Sequence, residues 1–202
     1  MFIIGITGGT GAGKTCALRA MESLGALALD CDAIYHELLA SNADLKSDLE
    51  TRFAGILHEG VIDRKSLGEI VFRDPSALSD LNAITHKYMS KEIEQRIAQW
   101  ESGGGEVAAV DAIALIESGR AKKCDAVVGV TAPREIRISR IMIRDGISRK
   151  HAEMRIDAQK PDSFYKDNCD FILNGTHTAA GEFEKECKEF FSKLIGGHMD
   201  AG

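Results

Sequence analysis

Short, unbroken apolar runs alternate along this chain with longer stretches in which apolar positions recur every three or four residues. The runs are Phe2–Thr7, Ala26–Asp30, Val107–Asp111, Ala126–Thr131 and Phe171–Leu173, and their length predicts strands. Several are apolar at every position instead of every second one, as a strand must be when helices cover both faces of its sheet. An α/β fold follows, with a parallel sheet of about five strands sandwiched by helices. From Asp32 to Trp100 the alternation stops and helical patterning takes over, broken by polar turns at Ser41-Asn42 and Gly60-Val61-Ile62-Asp63. That stretch predicts a helical insertion over residues 32–100 in a core built from 1–31 and 101–202. Ser102-Gly103-Gly104-Gly105 reads as a flexible joint before the third strand. A last helix is expected over Glu182–Ile195, turning Phe183, Cys187, Phe190, Phe191 and Leu194 to the sheet. Gly196-Gly197 should end it, leaving His198–Gly202 to fray.

With 44% apolar residues, 28% charged residues and 3 Pro in 202 positions, the chain reads as one ordinary globular domain carrying a modest insertion. Its 25 basic and 31 acidic residues give a net charge of −6, which repels a phosphate backbone, so no nucleic-acid partner is expected. No stretch reaches the ~18 to 20 consecutive apolar residues of a bilayer span. The start, Met-Phe-Ile-Ile-Gly, lacks the basic region and cleavage pattern of a signal peptide, so a cytoplasmic protein without a membrane partner is expected. The five cysteines, at 16, 31, 124, 169 and 187, form no Cys-x-x-Cys; reduced thiols packed in the core are the expectation. None of the six histidines has metal-ligand spacing, and His86, the one worth testing, reads as partly buried.

Gly8-Gly9-Thr10-Gly11-Ala12-Gly13-Lys14-Thr15 satisfies G-x-x-x-x-G-K-[ST] and lies between the first strand and the helical pattern of Cys16–Leu24. This is the context in which such a loop binds phosphate. Its glycines let successive N–H groups face phosphate oxygens, and the following helix adds the positive end of its dipole. Lys14 supplies a mobile cation for the β- and γ-phosphates, and the Thr15 hydroxyl a ligand for Mg²⁺. Neither an N-K-x-D nor a D-x-x-G motif of a GTPase occurs, so a small-molecule kinase using ATP and Mg²⁺ is favoured over a switch. The second strand ends in Asp30-Cys31-Asp32, two carboxylates at the sheet edge where ligands bind. One of them could accept the proton of an attacking hydroxyl, while either could instead cap the next helix. Asp111 ends the third strand and suits either the outer shell of Mg²⁺ or capping, with Glu117 a turn or two beyond.

Gly5 to Thr15, Leu24-Gly25-Ala26 and Asp30-Cys31-Asp32-Ala33-Ile34 together resemble the amino-terminal third of the dephospho-CoA kinase family. The likeness continues through Gly60–Leu67, Val71-Phe72, Ala132–Arg140, Arg144-Asp145-Gly146, Gln159 and Asp170–Gly175. It implies a P-loop core, a helical acceptor-binding insertion and a lid over about 134–160. It also implies ATP-dependent phosphorylation of the ribose 3′-hydroxyl of dephospho-CoA, the last step of coenzyme A synthesis. A monomer or weak homo-oligomer is the expectation for assembly. On this resemblance Gly11, Ala12, Gly13, Lys14, Thr15 and Cys16 hold ATP, and Asn174 lies near adenine. Asp32 is the base, Thr7 and Asp30 flank the acceptor, Arg64 joins them on the acceptor side, and Arg140 acts with Lys14 on the phosphoryl group. The chain departs from the family pattern at Ile113-Ala114-Leu115-Ile116-Glu117, where a Pro-Leu-Leu-Phe-Glu-like segment is usual. It departs again at His86-Lys87, in place of His-Pro, and at Arg137, in place of a frequent Gln. Another nucleoside or nucleotide kinase, or an ATP-binding regulator without catalysis, remains open at this level.

Residues 134–160 hold eight basic side chains against four acidic ones, a local excess inside an acidic protein. Arg137, Arg140 and Arg144 fall at i, i+3 and i+7, so on a helix they share a face that could close over a triphosphate.

Overall fold

Unbroken apolar runs become strands here because both of their faces are covered. The structure, a computed structural model, describes residues 1–176 and 180–199. Two compact units divide it, Met1–Asp30 with Trp100–Gly202, and Cys31–Gln99. The larger unit contains β1 (Phe2–Thr7), α1 (Lys14–Ser23) and β2 (Leu27–Asp30). The smaller one supplies α2 (Cys31–Ser41), α3 (Ala43–Arg52), β3 (Leu57–His58), β4 (Val61–Ile62), α4 (Arg64–Arg73) and most of α5 (Pro75–Ser102). The larger unit then continues with β5 (Val107–Asp111), a 3-10 turn (Arg120–Lys123), β6 (Ala126–Thr131), α6 (Arg134–Asp145) and α7 (Arg149–Asp157). It closes with α8 (Asp162–Asn168), β7 (Phe171–Asn174) and α9 (Ala180–Met199).

The five strands of the larger unit pair in the order β2-β5-β1-β6-β7, all parallel. Every residue of β6 is buried, and Ile4 and Ile6 of β1 are wholly inaccessible. On one face Ile4, Ile6, Val128 and Val130 meet α1 and α9 in a core that includes Ala17, Ala20, Met21, Phe183, Cys187 and Phe191. Ala17 and Ala20 present α1 as a smooth surface that can lie close to the sheet. The opposite face is packed tightly over bare backbone. A Cβ on Gly5 would lie 2.6 Å from Leu115 Cδ2 and 2.9 Å from Cys124 Sγ. One on Gly129 would meet Ile172 Cδ1 at 2.8 Å and Cys169 Sγ at 3.0 Å.

In the smaller unit the helices begin where capping side chains place them. Asn42 accepts from the Leu45 N–H to start α3, and Asp63 accepts from the Lys65 and Ser66 N–H groups to start α4. The Asp74 carboxylate accepts from the Ser76 N–H at the head of α5, where Pro75 needs no donor of its own. Glu50 accepts from the N–H groups of Gly55, Ile56 and Leu57, closing the bend after α3. Gly60–Asp63, expected as a plain turn, contains part of a hairpin. Leu57 pairs with Ile62 and His58 with Val61, and the connecting residues Glu59 and Gly60 both have positive φ, 50° and 80°. A two-residue link of that kind matches the twist of the flanking strands. His86, expected as partly buried, is exposed on α5.

The last helix also corrects an expectation. α9 runs through Gly196-Gly197 to Met199, and the His198 ring stacks on Phe2 with centroids 3.9 Å apart. That contact with the first strand holds a turn which glycine propensity alone would leave frayed; residues 200–202 lie outside the described residues. All five cysteines are free thiols, with Cys31 and Cys187 buried. Among the described residues no helix is long and apolar enough to cross a membrane.

Phe191 is wholly buried between α9 and the sheet. Phe191→Ala should lower unfolding stability by about 3–5 kcal/mol, seen as a lower urea midpoint at unchanged slope.

Candidate active site

The loop after β1 turns because its glycines can go where other residues cannot. Gly8 has φ +145°, and a Cβ there would sit 2.1 Å from the Val130 carbonyl oxygen of β6. Gly13, at φ 118° and ψ 17°, is the N-cap of α1, and being glycine it brings no side chain to compete for the helix's first N–H groups. The Ala12 N–H donates to Gly9 O at 3.1 Å and the Cys16 N–H to Gly13 O at 2.9 Å, shaping the curve from within. Lys14 Nζ donates to Gly8 O at 3.0 Å, lying back along the loop. Thr15 is exposed in the first turn of α1. The result is a cradle of backbone dipoles at the positive end of a helix, suited to a phosphate chain.

The sheet edge around it is rich in oxygen. Asp30 and Asp111 are in register at the carboxyl ends of β2 and β5, with Asp30 exposed and Asp111 8% exposed. With the Thr15 hydroxyl, these are hard donors that suit Mg²⁺ better than a softer metal. Among the described residues no cluster of three or more His, Cys, Asp or Glu side chains is placed to hold a metal by itself.

Thr7 is wholly buried, its hydroxyl donating to Ile113 O at 3.1 Å; direct contact with a ligand would require the segment after β5 to move. Asn174 ends β7, exposed, and its Oδ1 accepts from Thr131 Oγ1 at 2.9 Å, which leaves the amide N–H groups as donors. Cys16, half-buried on α1, has its thiol pKa raised, first by burial and then by Glu184. In the smaller unit, Asp32 lies in the first turn of α2, exposed, and Arg64 begins α4. Tyr35 of α2 has its phenol pushed up by burial and drawn back by the Arg64 charge.

The arginines of α6 depart from the picture of one face closing over a triphosphate. Arg137 is 4% exposed, its guanidinium turned to the loop, where Nε donates to Thr10 O at 2.9 Å. Arg140 donates to Gly11 O and Ala12 O, both at 3.0 Å, and to Gly175 O at 2.9 Å. Arg144 instead points outward, 60% exposed and paired with Asp145. Other cations of residues 134–160 are paired as well: Arg134 with Asp157, Arg149 with Glu135 and Glu153, and Arg155 with Asp145. Helical spacing put Arg137, Arg140 and Arg144 near one another but said nothing of what that side of α6 faces. Gln159, between α7 and α8, also meets the loop through Thr10; no local signal marks a bond that spans 149 positions.

A parallel five-stranded sheet whose central strand feeds a glycine loop and then a helix is the P-loop nucleotide-binding fold. Residues 2–180 match the family model described as dephospho-CoA kinase. A dephospho-CoA kinase of Geobacter sulfurreducens is 36% identical over 195 residues, covering 96% of this chain and 98% of the relative. One of Dehalococcoides mccartyi is 33% identical over 96% of this chain and 97% of its own length. The chain belongs to the dephospho-CoA kinase family, whose role is the final step of coenzyme A biosynthesis. Among solved structures, the dephospho-CoA kinase of Campylobacter jejuni superposes with a TM-score of 0.70 at 27% identity, covering 97% of this chain and 98% of that one. The protein TT1252 of Thermus thermophilus gives a TM-score of 0.80 at 27% identity over 96% and 97%. A shikimate kinase from Bacteroides thetaiotaomicron, 12% identical with a TM-score of 0.59, shares the fold.

Burial pushes the Cys124 and Cys169 thiols up to about 11 and Cys187 up to about 12. A thiol with a raised pKa stays protonated, and so unreactive, until the pH approaches that value. At pH 8 these three cysteines should react with Ellman's reagent at least ~50-fold more slowly in the folded protein than in urea. Labelling of the folded protein should accelerate from pH 8 to pH 10.

Proposed function

We propose that this chain transfers the γ-phosphoryl group of ATP to the ribose 3′-hydroxyl of dephospho-CoA. The observation that carries the reading is the glycine loop running from β1 into α1 with Lys14 at its end, in a chain of this family. The bond between the 3′-oxygen and the γ-phosphorus forms as the bond from that phosphorus to the β,γ-bridging oxygen breaks. ADP leaves, and the hydroxyl proton passes to the Asp32 carboxylate. Phosphoryl transfer asks little covalent chemistry of a protein, so the work falls to positioning and to charge stabilisation.

The N–H groups of Gly11 to Cys16 align the phosphate chain, and Lys14 swings from Gly8 O onto the β- and γ-phosphates. Arg140, bonded to the carbonyls of Gly11 and Ala12, adds positive charge beside the same loop. Asn174 offers amide donors to the adenine ring. We assign Thr7, Asp30, Asp32 and Arg64 to acceptor binding. Thr15 would hold Mg²⁺, with Asp111 in its outer shell. When bound, the ion neutralises charge on the β- and γ-phosphates. We assign residues 32–100 as the acceptor-binding insertion and about 134–160 as the lid, which would exclude water from the transfer. The absence of a candidate membrane span among the described residues is compatible with a cytoplasmic enzyme acting on a small soluble substrate, as a monomer or weak homo-oligomer.

Lys14→Ala and Asp32→Asn should each lower turnover by at least ~10²-fold at unchanged melting temperature. The assay is ADP release with dephospho-CoA, adenosine and AMP run side by side. Near-normal turnover in Asp32→Asn would remove Asp32 as the base. Activity on adenosine or AMP but not on dephospho-CoA would replace the acceptor.

A further inference from the structure

The crest of the phosphate loop is gripped from outside through every polar group of a single residue. Thr10 N–H donates to Gln159 Oε1 at 2.8 Å, and Gln159 Nε2 donates to Thr10 Oγ1 at 2.8 Å. Thr10 O accepts from Arg137 Nε at 2.9 Å. The two gripping side chains are themselves joined, since Arg137 Nη2 donates to the same Gln159 Oε1 at 3.0 Å, and Arg137 Nη1 reaches Asp162 Oδ1 at 3.4 Å. The amide of Gln159 is thereby fixed in one orientation, with its oxygen between two donors and its nitrogen on a hydroxyl.

We propose that Arg137 and Gln159 are positioning residues for nucleotide binding, holding the peptide planes on both sides of Thr10 so that the glycines after it face the phosphates before ATP arrives. The proposal rests on the reading of this loop as the ATP site and adds to it two residues that need not touch the nucleotide.

Three features set this brace apart from ordinary packing. The guanidinium packs directly on bare backbone: a Cβ on Gly9 would lie 2.2 Å from Arg137 Nη2, so it occupies the space behind the loop that a side chain would fill. The bonds are also directed at main-chain atoms on both sides of Thr10, and main-chain orientation is what a cradle of N–H groups depends on. Finally, a buried guanidinium is an expensive way to fill space. Burial lowers the Arg137 pKa, and Asp162 acts against that shift, where an apolar side chain of similar volume would incur no desolvation penalty. A cation held beneath the loop adds to the potential that draws phosphate to its other side.

The test is steady-state kinetics with ATP and dephospho-CoA, alongside calorimetric ATP binding, on the wild type, Gln159→Met, Thr10→Val and Thr10→Ser. Gln159→Met keeps the side-chain volume and removes three hydrogen bonds; Thr10→Val removes one and leaves both main-chain bonds. Gln159→Met should raise the KM and Kd for ATP about 10-fold, with kcat within about 3-fold and the KM for dephospho-CoA unchanged. Thr10→Val should raise the ATP constants by about 3-fold, and Thr10→Ser, which restores the hydroxyl, should return them to wild type. ATP constants within 2-fold of wild type in Gln159→Met would overturn the proposal. So would a parallel loss in both KM values, kcat and melting temperature, which is the signature of a merely structural contact. Failure of the wild type to bind ATP would instead remove the nucleotide reading on which the brace rests.

Discussion

A phosphate cradle made of glycines has a built-in difficulty. The residues that let its backbone approach an anion have no side chains with which to hold that backbone in place, and their freedom costs entropy when the loop orders. In this protein the difficulty is met from outside the loop. Val130 O closes off the space beside Gly8, Arg140 takes the carbonyls of Gly11 and Ala12, and Arg137 with Gln159 takes Thr10. Phe183 of α9 lies 2.8 Å from where a Gly13 side chain would begin. Four parts of the fold, β6, α6, the link between α7 and α8, and α9, therefore converge on eight residues, and the remainder of the larger unit serves to bring those parts to the end of β1.

The sheet can do this because its central strands are covered on both faces by small or well-fitted groups. Alanines on α1 and glycines in β1 and β6 allow close approach on the two faces. The same economy of space explains why guanidiniums, with several donors in one plane, occupy the gap. One arginine can satisfy two or three carbonyl groups at once, which a lysine ammonium on a flexible stem does less well.

Much of this was legible in the chain. Each of the five sheet strands was visible as an apolar run, and the observed limits differ by a single residue at Leu27 and at Asn174. The glycine loop was visible because its chemistry is contained in eight consecutive residues. What escaped notice depends on distant partners or on unusual backbone. The hairpin at Leu57–Ile62 has strands of only two residues and places Glu59 at positive φ, where glycine or asparagine is the usual sign. The last turns of α9 are held by Phe2, nearly 200 positions away. Periodicity put Arg137 and Arg140 on one side of a helix, but only the fold shows that this side meets loop carbonyls.

Gly5 and Gly129 leave the second face of the sheet with no slack, since Cys124 Sγ and Cys169 Sγ are already packed against bare backbone. Oxygen atoms added to either sulfur would have to lift the covering segment off the strands. Storage under a reductant is therefore, for this protein, a matter of room in the sheet as much as of thiol chemistry.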